Sequence, residues 1–175
     1  MIEDITEDVL NKTNYIVLSY PSNPFGSSAP KEMYVRMIEY AKKYNFAIIN
    51  DNAYSDIIFD GREGFSFLSL PGAKDVGVEF FSLSKSYNVT GLRISFCIGN
   101  KSIIDAFKLL RSQYDFCMSY PAQKAAIAAL RGPRDSVKAQ CAEYQRRRDA
   151  LLNGLRKYGW NVPDSHGTMF VWLPV

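Results

Sequence analysis

Five places between residues 23 and 93 carry side chains that can hold charge or react. They are Asn23, Asp51 with Tyr54 three positions on, the run Ser82-Leu83-Ser84-Lys85, and Arg93. A carboxylate can hold a protonated ring nitrogen, an amine can condense with an aldehyde, and hydroxyls with a guanidinium can hold a phosphate by charge-assisted hydrogen bonds. Those three demands together are made by pyridoxal phosphate, whose chemistry the protein directs through such groups. Taken singly, each residue also has a plain reading. Lys85 is then a solvated surface amine, Asp51 a loop-starting cap, Tyr54 a half-buried aromatic with its hydroxyl satisfied, and Ser84 a cap for the turn after a strand.

The elements that must position them can be read from pattern and punctuation. Tyr15-Ile16-Val17-Leu18-Ser19-Tyr20 is a β-branched and aromatic run closed by the breakers Pro21 to Gly26, hence a strand followed by a loop. Pro30 suits a first helical turn, and Tyr34, Met37, Ile38, Ala41 and Tyr44 recur at helical spacing up to Asn45. Phe46-Ala47-Ile48-Ile49 is a buried strand that ends in Asn50-Asp51-Asn52, so Asp51 is expected to be partly buried and in need of a partner. Strand, helix and strand make a right-handed βαβ unit with parallel strands.

Residues 60–77 read as a surface excursion with Phe65, Phe67 and Leu68 tucked inward. Val78 to Phe81 is a third strand and Leu92 to Ile98 a fourth. The link between them is too short for a parallel crossover, so the fourth strand is expected to run antiparallel. Helices follow over 102–116, begun by a Ser102/Asp105 capping box with Phe107 and Tyr114 in the core, over 121–130, and over 134–158. Gly167 to Leu173 reads as a further strand, and a strand at the very end of a chain suggests a truncated domain. Asn23, Asp51, Ser82, Ser84 and Lys85 all follow strand ends. In open α/β sheets, ligands sit in the crevice outside those carboxyl ends.

Composition narrows the class. With 47% apolar and 22% charged residues among 175, the chain is a globular domain of ordinary size rather than a disordered one. A net charge of +3 with scattered basic residues makes no case for nucleic acid. The triplet Arg146, Arg147 and Arg148 reads as a solvated helix face, and His166 as a loop residue. One histidine and three dispersed cysteines give neither a metal site nor a disulfide framework. The absence of an apolar run near membrane-spanning length, or of a basic-then-apolar leader, leads to the expectation of a soluble, cytoplasmic chain.

Ser82-Leu83-Ser84-Lys85-Ser86-Tyr87-Asn88-Val89-Thr90-Gly91-Leu92-Arg93 resembles the lysine motif of the class I/II aminotransferases, of pyridoxal-phosphate fold type I. Asn23-Pro24-Phe25-Gly26 resembles that family's Asn-Pro-Thr-Gly motif, and Asp51-Asn52-Ala53-Tyr54 its Asp-x-x-Tyr, in the same order. The likeness covers nearly the whole chain and is closest to LL-diaminopimelate aminotransferase-like members, through Lys43-Tyr44-Asn45, Ala53-Tyr54-Ser55 and Phe81-Ser82-Leu83-Ser84-Lys85. Two positions depart from the pattern. Phe25 stands where Thr is usual, beside the substrate mouth, and Ser95 stands where Gly often follows the arginine.

The resemblance implies a three-layer α/β/α large domain with a mostly parallel sheet and one antiparallel strand. Residues 1–133 would belong to that pyridoxal-phosphate-binding domain, 134–158 to an interdomain helix, and 159–175 to the start of a truncated small domain. It implies Lys85 as the catalytic lysine that binds the cofactor and shuttles a proton, and Asp51 on the pyridine nitrogen. Tyr54 would lie at the phenolic oxygen and Asn23 at that oxygen or the substrate carboxylate, with Ser82, Arg93 and Ser84 at the phosphate. The implied activity is ping-pong amino transfer between an amino acid and a 2-oxo acid, with LL-diaminopimelate and 2-oxoglutarate as one pair, in a cytoplasmic homodimer. The chain would then be an internal piece, inactive alone because the substrate-carboxylate arginine and further phosphate ligands lie elsewhere. Other readings are a β-lyase, an aminocyclopropane-carboxylate synthase-like enzyme, and the aminotransferase-like effector domain of a transcription regulator.

Overall fold

The computed structural model describes residues 2–115 and 117–173. A 3-10 turn at Ile2–Asp4 and helix α1 (Glu7–Lys12) lead into strand β1 (Tyr15–Ser19). Helix α2 (Lys31–Tyr44) and strand β2 (Ala47–Asp51) complete the expected βαβ unit, with β1 and β2 parallel and Ser19 opposite Asp51. The periodicity of α2 is realised as read, since Tyr34, Met37, Ile38 and Ala41 are its buried residues. The helix stops because Asn45 turns left-handed at φ 56° and returns its N–H to the Ala41 carbonyl.

Residues 60–72 form the excursion, in which Phe67 is fully buried inside a 3-10 turn (Phe67–Ser69) while Phe65 and Leu68 pack beside it. Helix α3 (Ala73–Val76), strand β3 (Gly77–Ser82) and helix α4 (Leu83–Ser86) follow. Strand β4 (Ser95–Gly99) pairs antiparallel with β3, as the short link requires. The sheet order is β1-β2-β3-β4, with three parallel strands and one antiparallel. Helices α5 (Lys101–Tyr114), α6 (Tyr120–Arg131) and α7 (Asp135–Lys157) follow, and residues 158–173 run on outside any helix or strand.

Three layers result from the strand alternation. Leu18, Asn50 and Glu79 share one face, where α2 packs and the Tyr34 hydroxyl donates to Asn50 Oδ1 at 3.3 Å. Asn50 in turn donates to the buried Glu79 carboxylate at 2.9 Å, which also accepts the Phe67 N–H at 2.7 Å, so this buried acid is satisfied. Ser19, Asp51 and Phe80 share the other face, where α5 lays Phe107 edge-on to Phe80 at 5.7 Å. Alpha-helix cover reaches only part of that face, and Val17 is 58% exposed.

Four expectations need correction. The fourth strand begins at Ser95 rather than Leu92, because Thr90–Leu92 winds into a 3-10 turn and Arg93 follows at φ 51°. The cap of α5 is Asn100, whose side chain accepts from the Ser102 and Ile103 N–H groups, while Asp105 pairs with Lys101 instead. Tyr114 is not core but 77% exposed, since only the Phe107 stretch of α5 reaches the sheet. Residues 167–173 are not a strand. Thr168 takes φ 67°, which breaks extension, and only the isolated bridge between Ile58 and Gly167 remains. Phe116, the expected end of α5, lies outside the described residues, as do positions 1, 174 and 175 of the expected domains.

Candidate active site

The carboxyl ends of β1, β2 and β3 open onto a groove of ≈ 400 Å³ on the less covered face, lined by Val17, Ile49, Asp51, Phe80, Phe81, Ser82 and Ser95. Strand register explains this gathering. Asp51 is paired with Ser19 and Phe80, and Ser82 with Ser95, so their side chains leave the same face. Asp51 is exposed, contrary to the partial burial expected from the apolar run before it, because the helix layer does not extend over the end of β2. Its Oδ1 accepts the Ala53 N–H at 3.3 Å.

Lys85 sits in α4, directly after β3, and is half-buried. Ser82 caps this short helix, its Oγ accepting the Ser84 N–H at 3.2 Å. That turn aims Lys85 Nζ over the Tyr54 ring, 5.8 Å from its centroid. Ser84 is buried, and its carbonyl accepts the Thr90 hydroxyl at 3.4 Å. Arg93 lies exposed beyond the 3-10 turn, its guanidinium donating to the Thr90 carbonyl at 3.2 Å. Among the described residues, Asp51, Lys85 and Arg93 make no ion pair with one another or with any other side chain.

Tyr54 is buried, with Phe170 edge-on at 6.3 Å and the Asn23 amide donating to its hydroxyl at 3.5 Å. Burial foremost, then the Asp51 carboxylate, raises its pKa above the ordinary tyrosine value, against the Asn23 bond. The phenol therefore stays protonated at neutral pH and can donate. Asn23 itself is exposed in a loop closed by Gly26, whose carbonyl accepts the His166 and Gly167 N–H groups at 2.8 and 3.1 Å. Gly26 stands at φ 67°, and a Cβ there would fall 2.1 Å from Ser165 Oγ. Only glycine satisfies both conditions.

Contacts from α7 were not anticipated. Gln140 Nε2 donates to the Lys85 carbonyl at 2.7 Å, and Cys141 Sγ to the Ile58 carbonyl at 3.2 Å. Nothing in the sequence marks Gln140. Arg148 also departs from the solvated face expected of it and is only 8% exposed, whereas Arg146 and Arg147 both bind Glu143 in the open. The three cysteines are free, and burial pushes the Cys97 and Cys141 thiols up, away from reactivity. Among the described residues no helix is long and apolar enough to cross a membrane.

Comparisons with known proteins agree with one another. The family described as Aminotransferase class I and II matches residues 1–175. LL-diaminopimelate aminotransferase of Dehalococcoides mccartyi is 44% identical over 171 residues, covering 98% of this chain and 44% of that protein. Glutamate-pyruvate aminotransferase AlaC of Escherichia coli is 41% identical over 164 residues, covering 94% and 40%. Among solved structures, substrate-bound BacF of Bacillus subtilis superposes with a TM-score of 0.96 at 34% identity, over 100% of this chain and 44% of that one. A probable N-succinyldiaminopimelate aminotransferase of Thermus thermophilus gives 0.92 at 30%, over 99% and 47%. The chain thus spans less than half the length of the relatives it matches. On the family match over residues 1–175, the chain belongs to the aminotransferase class I and II family.

Proposed function

We propose that this chain forms part of a pyridoxal-phosphate-dependent aminotransferase that moves an amino group between an amino acid and a 2-oxo acid in a ping-pong cycle. The observation that carries the reading is the half-buried Lys85 amine over the Tyr54 ring, beside a groove lined by Asp51 and Ser82. The donor set fits the cofactor: an amine for its aldehyde, a carboxylate for its ring nitrogen, a phenol for its oxygen, and hydroxyls with a guanidinium for its phosphate. When bound, pyridoxal phosphate supplies the carbonyl that takes up the amino group and a ring that accepts electrons.

The chain's own residues do the remaining work. Lys85 Nζ would hold the cofactor and move the proton at the substrate α-carbon. The Asp51 carboxylate keeps a proton on the ring nitrogen. Tyr54 would hold the phenolic oxygen, Asn23 that oxygen or the substrate carboxylate, and Ser82, Ser84 and Arg93 the phosphate. Residues 1–133 act as part of the cofactor domain, 134–158 as an interdomain helix, and 159–175 as the start of the small domain. LL-diaminopimelate or another amino acid, with 2-oxoglutarate, fits the relatives as the substrate pair, in a cytoplasmic homodimer. The named curated relatives are aminotransferases, so the lyase, synthase and regulator readings gain nothing from them.

The test is peptide mass after mixing the protein with pyridoxal phosphate and reducing with borohydride. One adduct at Lys85, absent in Lys85→Ala, is the expected result. Labelling spread evenly over the lysines, and unchanged in Lys85→Ala, would overturn the assignment.

A further inference from the structure

One turn of α7 touches both Lys85 and the surroundings of Tyr54. Gln140 Nε2 donates to the Lys85 carbonyl at 2.7 Å, and the next residue, Cys141, donates from Sγ to the Ile58 carbonyl at 3.2 Å. Cys141 and Tyr144 also pack against the buried cluster of Tyr54, Ile57 and Phe59. The Lys85 amine stands over the Tyr54 ring, 5.8 Å from its centroid. The lysine and the tyrosine it faces are thus gripped by neighbouring residues of one helix.

The Lys85 carbonyl needs such a partner. Helix α4 has four residues, too few to hold a helical shape by their own hydrogen bonds, and its last carbonyls have no following turn to bond. The Leu83 carbonyl accepts the Tyr87 N–H at 3.0 Å and the Ser84 carbonyl the Thr90 hydroxyl at 3.4 Å, both from the link that follows. The Lys85 carbonyl instead accepts from α7, 55 residues further on. Lys85 and Gln140 are both half-buried, so losing the amide leaves a carbonyl that water reaches poorly. Turning that peptide plane toward water rotates the Lys85 backbone and carries the amine off the ring. Ser82 caps the other end of α4, its Oγ accepting the Ser84 N–H at 3.2 Å, so the lysine is fixed by a cap before it and by Gln140 after it.

Resting on the aminotransferase reading above, we propose that Gln140 is a positioning residue for Lys85: its side-chain amide completes α4 and thereby sets the amine over Tyr54, in the place from which it takes up the cofactor aldehyde. Gln140 acts through the Lys85 backbone and touches neither cofactor nor substrate in this role.

The test compares the full chain with Gln140→Met, which keeps the length and loses the amide, and with Gln140→Glu, which keeps the shape and at neutral pH has no proton to donate. Gln145→Met is the control, since Gln145 ties the same helix to the Asp60 N–H instead of to Lys85. The first readout needs no cofactor: in chain grown with ε-13C lysine, the Lys85 ε-CH2 resonance, identified by its loss in Lys85→Ala, is displaced by the Tyr54 ring current. The second is the rate at which the Lys85 peptide gains the mass of reduced pyridoxal phosphate. Aldehyde and amine join with loss of water, borohydride delivers hydride to the carbon, and the nitrogen takes a proton from water. Both Gln140 variants are expected to move the resonance toward that of the exposed lysines and to slow trapping about tenfold or more, the scale of a small misplacement of a reacting group. Gln145→Met should change neither. An unmoved resonance or an unslowed rate in the Gln140 variants would overturn the proposal, and so would an equal loss in Gln145→Met, which would show that the helix merely supports the fold. Absence of any Lys85 adduct in the unaltered chain would overturn the cofactor reading and the role built on it, and the cofactor-free resonance keeps that outcome distinct from a failure of Gln140 to hold the lysine.

Discussion

The guanidinium of Arg148 holds both carboxylate oxygens of Asp60, 88 residues earlier, at 2.9 and 2.5 Å. The same group donates to the Ser165 carbonyl at 2.5 Å and lies over the Phe59 ring at 4.9 Å. One side chain of α7 thus ties together the loop after Tyr54 and the segment that carries Phe170 and Trp172. Gln145 adds to the hold by accepting the Asp60 N–H at 3.2 Å, and Arg134 pairs with Asp56 at the start of the helix.

Replacing Arg148 with Met should keep much of the packing and lose the bonds. Hydrogen bonds to charged groups contribute about 1.5–3 kcal/mol each when a partner is stranded, and Asp60 is half exposed and can take up water instead. The expected loss is about 2–3 kcal/mol in urea unfolding. The matching change at Arg146 or Arg147, whose partner Glu143 lies at the surface where solvent screens the pair, should cost far less.

Stability should also depend on pH through Asp60. The Arg148 hydrogen bonds, ahead of all other influences, hold its carboxyl below the ordinary aspartate value. A carboxyl lowered in the folded state contributes stability that is present above its unfolded pKa of about 4 and is lost as pH falls through the folded value. Unfolding midpoints followed from pH 7 down to pH 2 should therefore fall less steeply in Asp60→Asn than in the wild type. Parallel curves would show that the pair is screened out by water.

Gly26→Ala should be disproportionately damaging for so small a change. The backbone there is left-handed, and the new Cβ would collide with Ser165, whose own Oγ donates to the Gly167 carbonyl at 2.9 Å. Strain of this kind costs about 1–3 kcal/mol, and the staple to His166 and Gly167 should open. Amide hydrogen exchange at residues 166–167 reads the opening directly, and unchanged protection there would contradict the account.

Asp51→Asn separates site from scaffold. Because Asp51 is exposed and makes only a local bond to the Ala53 N–H, thermal stability should change by less than about 0.5 kcal/mol. Affinity for pyridoxal phosphate, measured by trapping at Lys85, should fall about tenfold or more if the carboxylate holds the ring nitrogen. A stability loss as large as the affinity loss would point to a structural role instead.

Much of the scaffold was legible because the signals are local. The apolar run before Asp51, the helical spacing from Tyr34 to Ala41, and the short link between β3 and β4 each act over a few residues, and the sheet formed accordingly. The motif residues followed strand ends, so their meeting at one edge needed only parallel pairing and register. Arg148 was harder, although a signal existed. It lies on the stripe of Val137, Cys141, Tyr144 and Leu152, while its neighbours Arg146 and Arg147 are rotated about 100° per residue around the helix.

What composition, periodicity and motif spacing determined by themselves was the order of the elements, the direction of their pairing, and the residue types delivered to the crevice. Tertiary structure decided which of those groups are covered and which partners they meet across long stretches of chain. The expected last strand failed because extension needs a neighbouring strand to accept its hydrogen bonds, and Thr168 turned left-handed, its N–H donating to the Ile57 carbonyl instead. Gln140 on the Lys85 carbonyl and Trp172 on Phe25 exist only because α7 returns the chain to the loops it left, a path that no local pattern encodes.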